Sequence, residues 1–327
     1  MAESPLLSVR HLSVDFLMQD GQKGHALEDV SFDILQGHTL GLVGESGCGK
    51  TTTLMAIMRL LPASARITTG QVNYNGQDLL SLSERQMRDF RWKEMSIVFQ
   101  GAMNALNPVM RIDEQIREPI LLHHLMTSSQ AAGRVGELME LVGIPKERAS
   151  QYPHEYSGGM RQRAMIALAL ACSPSLLFAD EPTTALDVMI QAQVLELLKG
   201  IQEKLGLAIV LVTHDLGVVA EVCDSVAVMY GGKVAESGSI DSIYNTPQHP
   251  YTERLLQSFP DLNRPAGDLA SIPGTPPRVT DLPPGCRFEP RCYKRIEICA
   301  TTAPPMLETS PGHRAACHLC RGPVSSY

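Results

Sequence analysis

The stretch GESGCGKT, residues 44–51, stands between the apolar run TLGLVG and the helical pattern KTTTLMAIMRLL. This is the pattern of a phosphate-binding loop: a glycine, four other residues, then glycine, lysine and threonine. Such a loop lies after a strand and before a helix. The glycines let successive backbone N–H groups point at phosphate oxygens, and the helix N-terminus adds positive partial charge. The sequence therefore predicts a nucleoside triphosphate site that contains Gly44, Glu45, Ser46, Gly47, Cys48, Gly49, Lys50, Thr51 and Thr52.

Two side chains of this loop have their own expected contacts with ATP and Mg²⁺. Lys50 is long enough to reach the β and γ phosphates. The hydroxyl of Thr51 is a ligand for Mg²⁺, whose octahedral shell keeps waters and takes few protein oxygens. The alternative, a glycine-rich turn with an incidental lysine, does not account for the strand and helix on either side.

A second stretch, LLFADE, ends an apolar strand with two adjacent carboxylates, Asp180 and Glu181. Asp180 is expected to hold Mg²⁺ through water, as the carboxylate at this position does in other P-loop NTPases. Neighbouring carboxylates repel each other unless a cation or a shared task keeps them there, so Glu181 is the predicted group that polarises the attacking water. The alternative is a solvated acidic turn, which so apolar a strand disfavours.

Composition and charge limit the class of protein. The chain has 327 residues and 44% hydrophobic content, enough for one large domain and a smaller one. Its net charge of −7 argues against nucleic acid as a partner. No apolar window reaches the roughly 18 residues of a membrane-spanning helix, and the N-terminus lacks the features of a secretory signal. We therefore expect a cytoplasmic protein that attaches to a membrane only through a partner.

The order of apolar patterns predicts an α/β fold. Apolar residues are only partly regular within residues 7–16 and alternate cleanly at 30–34, which indicates strands in both stretches. The strands TLGLVG, LLFAD and LAIVLVTHD alternate with helices, which implies a parallel sheet. VAVMYGGKVAESG is typical of a hairpin that turns at Gly231 and Gly232. Eleven of the 22 prolines fall in the last 67 residues, so a separate loop-rich module is expected there. The predicted domains are residues 1–260, with a helical part at about 101–175, and residues 261–327.

Further motifs occur in the order found in ATP-binding cassette (ABC) ATPases. YSGGMRQR lies just before LLFADEPTTALD, and VTHD follows. From about residue 8 to residue 238 the chain resembles that family, with Walker A, glutamine-loop, signature, Walker B, D-loop and histidine motifs in order. The resemblance implies a P-loop NTPase core with an antiparallel β subdomain and an α-helical subdomain. It also implies that Phe16 stacks on adenine, that Gln100 touches Mg²⁺ and reports to a membrane partner, that His214 contacts the γ phosphate, and that Asp187 belongs to the nucleotide site.

The signature motif begins a helix. Ser157, Gly158 and Gly159 therefore form an anion-binding end much like that of the phosphate loop. The family pattern implies that this end faces nucleotide bound on a second, related ATPase subunit, so that ATP lies between two chains. Met160 departs from the family, which commonly has Gln there, and the missing amide is expected to weaken a polar contact across the interface.

Downstream stretches resemble the C-terminal extension of ATPases that serve oligopeptide and dipeptide importers. They include SIYNTPQHPYTERLLQSFP, LPPGCRFEPRC and PGHRAACHL. The resemblance implies a motor subunit that is peripheral on the cytoplasmic face of a bacterial inner membrane, pairs with a related second ATPase and docks on two permeases. An external binding protein would deliver the substrate. Nickel importers are near relatives and remain an alternative.

Five of the eight cysteines lie in the last 42 residues. In a reducing cytoplasm, clustered cysteines more often bind metal or act in redox chemistry than form stable disulfides. Gaps of five, six and 17 residues do not suit a zinc ribbon, and the family resemblance points to a 4Fe-4S cluster. Zn²⁺ and unliganded thiols remain alternatives. The expected ligands are Cys286, Cys292, Cys299 and Cys317, with Cys320 as a spare that is able to replace Cys317.

Two other functional classes compete with a transport ATPase. A soluble cassette ATPase of DNA repair or translation usually shows a long coiled coil or two tandem cassettes, and neither pattern is visible in the sequence. An iron–sulfur redox protein with nucleotide regulation needs a second redox site, for which the sequence has no signal.

Overall fold

The computed structural model describes residues 4–101, 105–184, 186–258 and 271–321. Within these ranges the chain forms two compact units. Unit 1 contains Ile34–Thr39 and Ser81–Val212, and unit 2 contains Ser4–Asp33, Leu40–Leu80 and the described residues from Thr213 onward. No helix in this part of the chain is long and apolar enough to cross a membrane.

Strands and helices alternate through much of the described chain. The α-helices are α1 (Lys50–Ile57), α2 (Glu84–Phe90), α3 (Ile112–Leu122), α4 (Ser128–Leu141), α5 (Gly158–Ala169), α6 (Val188–Leu205), α7 (Leu216–Val222), α8 (Ile240–Asn245) and α9 (Pro250–Gln257). The strands are β1 (Leu7–Leu17), β2 (Lys23–Ile34), β3 (Thr39–Val43), β4 (Ala65–Tyr74), β5 (Gln77–Asp78), β6 (Met95–Val98), β7 (Leu176–Asp180), β8 (Ala208–Thr213), β9 (Ser225–Tyr230), β10 (Lys233–Ser239), β11 (Leu307–Ser310) and β12 (His313–Ala315). This arrangement confirms the predicted α/β class.

The first sheet of unit 2 has the order β2-β1-β4-β5. β1 runs antiparallel to β4, with Val9 opposite Val72. Between Arg10 and Ser13 the register shifts, and His11 lies there in the left-handed region at φ 51°. This bulge explains why the apolar spacing at the start of the sequence is only partly regular.

The second group of strands in unit 2 has the order β11-β12-β10-β9-β3. β3 and β9 are parallel, whereas β9 and β10 form the predicted antiparallel hairpin, with Gly231 and Gly232 at positive φ in its turn. β12 adds to β10, with Ala315 opposite Glu236. The C-terminal extension therefore contributes strands to the same sheet as β3, the strand that precedes the phosphate loop.

Unit 1 contains three neighbouring parallel strands, β6, β7 and β8. Every residue of β7 and β8 is buried, as expected for parallel strands with both faces covered. Helices α3, α4, α5 and α6 share one apolar core with residues of these strands, for example Ile116, Leu138, Ile166, Leu177 and Leu198. The predicted parallel sheet and helical region are both present.

Helix α1 is shorter than the sequence pattern predicts. The helical pattern extends to Leu61, but the helix ends at Ile57. Arg59 adopts a left-handed φ of 53°, and the N–H of Leu60 donates to the carbonyl of Met55. A closing turn of this kind ends the helix before Pro62 does.

Candidate functional site

The phosphate loop joins β3 to α1 and lies close against neighbouring backbone. Gly44 has φ 150°, and a Cβ atom placed there would lie 2.2 Å from the carbonyl oxygen of Met229. Gly49 has φ 106°, and its Cβ would lie 2.6 Å from a methyl group of Leu27. Only glycine fits these two positions, because both combine a positive φ with too little space for a side chain.

Lys50 is buried, and its ammonium group points back over the loop. Its Nζ donates to the carbonyl oxygens of Gly44 at 2.7 Å and Glu45 at 3.1 Å. Burial raises the pKa of the Cys48 thiol, although nearby Lys50 acts in the opposite direction. Cys48 is therefore a packed, protonated residue of the loop, whereas the side chain of Thr51 is exposed at the start of α1.

Glu181 follows β7 in a left-handed backbone conformation, with φ 44°. Its Oε2 atom accepts hydrogen bonds from Nε2 of Gln100 at 2.7 Å and from Oγ1 of Thr184 at 2.9 Å. Non-glycine residues in this region carry strain that is frequently found at functional sites. Asp180, the last residue of β7, is 1% exposed. The structure thus brings the predicted Gln100 and Glu181 into contact.

The signature residues begin α5, as predicted. The Oγ atom of Ser157 accepts a hydrogen bond from the N–H of Met160 at 3.3 Å and caps the helix. A Cβ atom at Gly159 would lie 2.8 Å from Cγ2 of Ile190, so α5 and α6 approach closely there. The thioether of Met160 contacts NH1 of Arg148 at 3.3 Å, which gives the residue that replaces the family's Gln a packing partner within unit 1.

The remaining predicted nucleotide residues occupy several elements. Asp187 caps α6, because its Oδ1 accepts from the N–H of Ile190 at 3.0 Å. His214 is exposed directly after β8, and Phe16 is half-buried on β1.

The four predicted cysteine ligands lie near one another in unit 2. Burial, together with electrostatic interactions with the Cys299, Cys317 and Cys292 thiols, raises the pKa of Cys286 to about 11. Cys320 donates a hydrogen bond to Cys317 and thereby lowers the pKa of Cys317 to about 6. All eight cysteines of the chain lie in described ranges, and all are free thiols.

No group of three or more His, Cys, Asp or Glu side chains in the described ranges is arranged to hold a single metal ion. The structure therefore brings the predicted cysteines together without defining a mononuclear site.

Sequence reasoning missed three contacts of these sites. Thr184 has only a weak signal, its position three residues after Glu181 in ADEPTTALD. The phenol oxygen of Tyr251 accepts from the N–H of Glu45 at 2.9 Å, and Arg291 forms an ion pair with the carboxylate of Glu45 at 2.6 Å. Tyr251 and Arg291 are more than 200 positions from the loop, and no local pattern marks them.

Comparison with known proteins agrees with this geometry. The sequence model of ABC transporters matches residues 27–184, and that of the C-terminal region of oligopeptide/dipeptide transporters matches residues 235–299. The chain is 48% identical over 317 residues to the dipeptide transport ATP-binding protein DppD of Bacillus subtilis, with 96% of this chain and 94% of the relative covered. The chain belongs to the ATP-binding proteins of ABC transporters. The family predicted from the motifs is therefore confirmed.

Other relatives of this ABC ATPase support the same assignment. The oligopeptide transport ATP-binding protein OppD of Salmonella typhimurium is 45% identical over 314 residues, with 95% of this chain and 93% of the relative covered. Among solved structures, a dimeric post-hydrolysis state of the ATP-binding cassette MJ0796 bound to ADP and Pi has a TM-score of 0.64 and 27% identity. That match covers 72% of this chain and 98% of the other. The predicted cassette fold and ATPase class are confirmed.

Proposed function

We propose that this ABC ATPase is the motor subunit of a bacterial importer of dipeptides or oligopeptides. The supporting observation is that the similarity to DppD and OppD includes the C-terminal extension and covers 95% or more of the chain. The match of residues 235–299 to the oligopeptide/dipeptide transporter region favours peptide import over nickel import and over a non-transport role.

The proposed complex contains a second, related ATPase, two transmembrane permeases and an external binding protein. In it the chain is peripheral on the cytoplasmic face of the inner membrane. The exposed apolar residues Val188 and Met189, 79% and 73% exposed directly after Asp187, support a protein partner at the D-loop. Nucleic acid is not among the proposed partners, in agreement with the net charge of −7.

The proposed chemistry is ATP hydrolysis with an in-line water. Lys50 and the backbone N–H groups of residues 44–52 bind the β and γ phosphates, Phe16 contacts adenine and His214 contacts the γ phosphate. Glu181 orients and deprotonates the attacking water. Its hydrogen bonds from Gln100 and Thr184 fit this role, because the two donors hold the carboxylate in one orientation.

Mg²⁺ is expected with the nucleotide. The donor chemistry of the chain fits it, because Thr51 offers an exposed hydroxyl and Asp180 a buried carboxylate. These two residues, with Gln100, are the proposed ligands. When bound, the ion neutralises charge that develops on the phosphate oxygens.

The four cysteines are the proposed ligands of a 4Fe-4S cluster, with Zn²⁺ as the alternative. Their mutual electrostatic interactions support a shared ligand set, and four thiolates are the protein ligands that such a cluster would take. The N–H of Cys286 donates to the carbonyl of Cys299 at 2.8 Å, which ties the two ends of this segment together.

Transport by the complete complex tests the proposed function. The chain would be purified with its neighbouring permeases and second ATPase, reconstituted in vesicles and supplied with binding protein, Mg-ATP and labelled dipeptide, oligopeptide or Ni²⁺. We expect ATP-dependent uptake of peptide and none of Ni²⁺. Uptake of Ni²⁺ alone, or purification with ribosomes or DNA and without permeases, would contradict the proposal.

Elemental analysis of anaerobically purified protein tests the cluster. We expect about four irons and four sulfides per chain, lost in Cys292→Ser and retained in the control Cys320→Ser. One zinc per chain without iron would show that the site binds Zn²⁺ and not a cluster. Protein without metal would rule out both.

A further inference from the structure

Arg291, in the short turn Glu289–Arg291 before Cys292, reaches the phosphate loop of the same unit. Its NH1 and NH2 groups donate to the two carboxylate oxygens of Glu45 at 2.6 and 2.9 Å. NH1 also donates to the phenol oxygen of Tyr230 at 3.1 Å, and Nε donates to the carbonyl of Pro273 at 2.7 Å. The arginine is 9% exposed. This two-pronged, largely buried pair is the geometry in which an arginine and a carboxylate interact most strongly.

Glu45 connects this pair to the residues that bind phosphate. Its carboxylate receives Arg291, its N–H donates to Tyr251, and its carbonyl oxygen accepts from Nζ of Lys50 at 3.1 Å. Hydrogen bonds therefore hold the carboxylate, the N–H and the carbonyl group of Glu45. A displacement of the Arg291 side chain therefore changes the environment of Lys50 through a single residue.

An aromatic cluster holds Tyr230, the ring next to Arg291, in place. Phe288, three residues earlier and 1% exposed, packs at 5.2 Å from the ring of Tyr230 and at 5.4 Å from the ring of Tyr251. The two tyrosine rings are 4.6 Å apart. The same two tyrosines that hydrogen-bond Arg291 and Glu45 thus belong to a packed cluster that the C-terminal extension completes.

The charge of Glu45 gives the contact a consequence for nucleotide binding. A carboxylate in the second position of a phosphate loop repels an anionic ligand, and the repulsion is strong where water is partly excluded. The guanidinium of Arg291 neutralises this charge. The ion pair with Glu45 and the bond to Tyr230 raise the pKa of Arg291, although burial alone would lower it, so the arginine stays charged.

We propose that Arg291 is a positioning residue for ATP: it holds Glu45 in place and cancels its charge, so that the C-terminal extension sets the nucleotide affinity of its own phosphate loop. Arg291 touches neither nucleotide nor water in this role and acts only through Glu45.

The test is the Kd of Mg-ATP, measured by calorimetry on the full-length chain purified without oxygen. We expect Arg291→Met to raise Kd about tenfold or more, because the carboxylate of Glu45 is then unopposed and the loop less fixed. Glu45→Gln should raise Kd by less than Arg291→Met does, because it removes the repulsion together with the pair. The double variant should recover most of the affinity lost in Arg291→Met, and a purely structural role of Arg291 predicts no such recovery.

Lys294→Met is the matched control. Lys294 is exposed and forms an ion pair between the extension and Glu253 of α9 at 2.6 Å rather than with Glu45, so its loss should leave Kd unchanged. Arg291→Lys keeps the positive charge and loses the paired hydrogen bonds to the carboxylate, so we expect a rise in Kd of about threefold. This variant provides the test if Arg291→Met does not fold. A wild-type Kd in Arg291→Met or in Arg291→Lys would overturn the proposal. So would a double variant that does not recover affinity for Mg-ATP, or a loss of affinity in Lys294→Met equal to that in Arg291→Met.

Discussion

The side-chain amide of Gln100 donates a 2.7 Å hydrogen bond to the carboxylate of Glu181, and the hydroxyl of Thr184 donates to the same oxygen at 2.9 Å. Glu181 itself stands at φ 44°, where its N–H donates to the carbonyl of Val212 at 2.9 Å. The backbone and two side chains therefore fix the direction of this carboxylate. A group that must orient one water molecule requires this kind of support.

Replacement of Glu181 by Gln should slow ATP turnover by about 10²-fold or more without loss of ATP binding, because the variant keeps the shape of the side chain and loses the base. Turnover would be measured in the assembled complex with both ATPase sites accounted for. Lys50→Ala is the contrasting variant, and we expect it to weaken ATP binding itself. Near-normal ATP turnover of the Glu181→Gln complex would show that Glu181 is not the catalytic base.

Ser157→Arg should abolish ATP hydrolysis by the complex and leave ATP binding to the same chain's Lys50 site intact. The substitution removes the hydroxyl that caps α5 and places a bulky cation at the helix end proposed to face the partner's nucleotide. The purified chain alone should hydrolyse ATP poorly for the same reason. Full activity of the isolated chain, or full activity of the Ser157→Arg complex, would contradict a site shared by two chains.

Gly159→Ala should destabilise the protein by about 1–3 kcal/mol, because the added Cβ would lie 2.8 Å from Ile190 and overpack the contact between α5 and α6. Gly133→Ala in α4 is the matched control. Among the described residues, no atom outside the local helix backbone and the two adjacent residues lies within 4 Å of a Cβ at Gly133, so we expect this variant to gain about 0.4–1 kcal/mol. Chemical denaturation measures the free energy of unfolding of both variants. Equal stability changes in the two variants would show that the contact with Ile190 does not exclude a side chain at position 159.

Much of this arrangement could be predicted from the sequence, because it depends on residues that are near one another in the chain. The phosphate loop is a local pattern of glycines between a strand and a helix, and the hairpin at Gly231 and Gly232 is equally local. Asp180 ends an apolar strand whose complete burial the sequence makes evident, and Glu181 follows it. In each case the backbone geometry follows from the spacing of a few consecutive residues.

The contacts that escaped sequence analysis join distant parts of the chain. The proline-rich extension was expected to form a separate module, yet β12 pairs with β10 and Arg291 contacts Glu45, 246 positions away. An arginine among several in a loop-rich segment has no periodicity that reveals its partner. The bulge at His11 and the early end of α1 escaped as well, since each depends on a single residue with positive φ.

A pH-dependent loss of stability is expected from His249. This histidine is only 4% exposed, burial lowers its pKa from 6.5 to about 4, and its Nδ1 accepts a hydrogen bond from the N–H of Tyr251 at 3.0 Å. The imidazole must be neutral to accept that bond. Between these two pH values the unfolded chain binds a proton at His249 that the folded chain does not, so stability is complete above about pH 6.5 and falls as the pH approaches 4.

Replacement of His249 by Asn keeps an acceptor at the start of α9 and removes the titrating group. We therefore expect wild-type protein to lose about 3 kcal/mol more than His249→Asn between pH 7 and pH 4, since each unit of pKa difference contributes about 1.4 kcal/mol. Urea denaturation across this range measures the difference, and the exposed His154→Asn controls for the loss of an imidazole elsewhere. Parallel pH profiles of wild type and His249→Asn would show that His249 does not contribute to acid sensitivity.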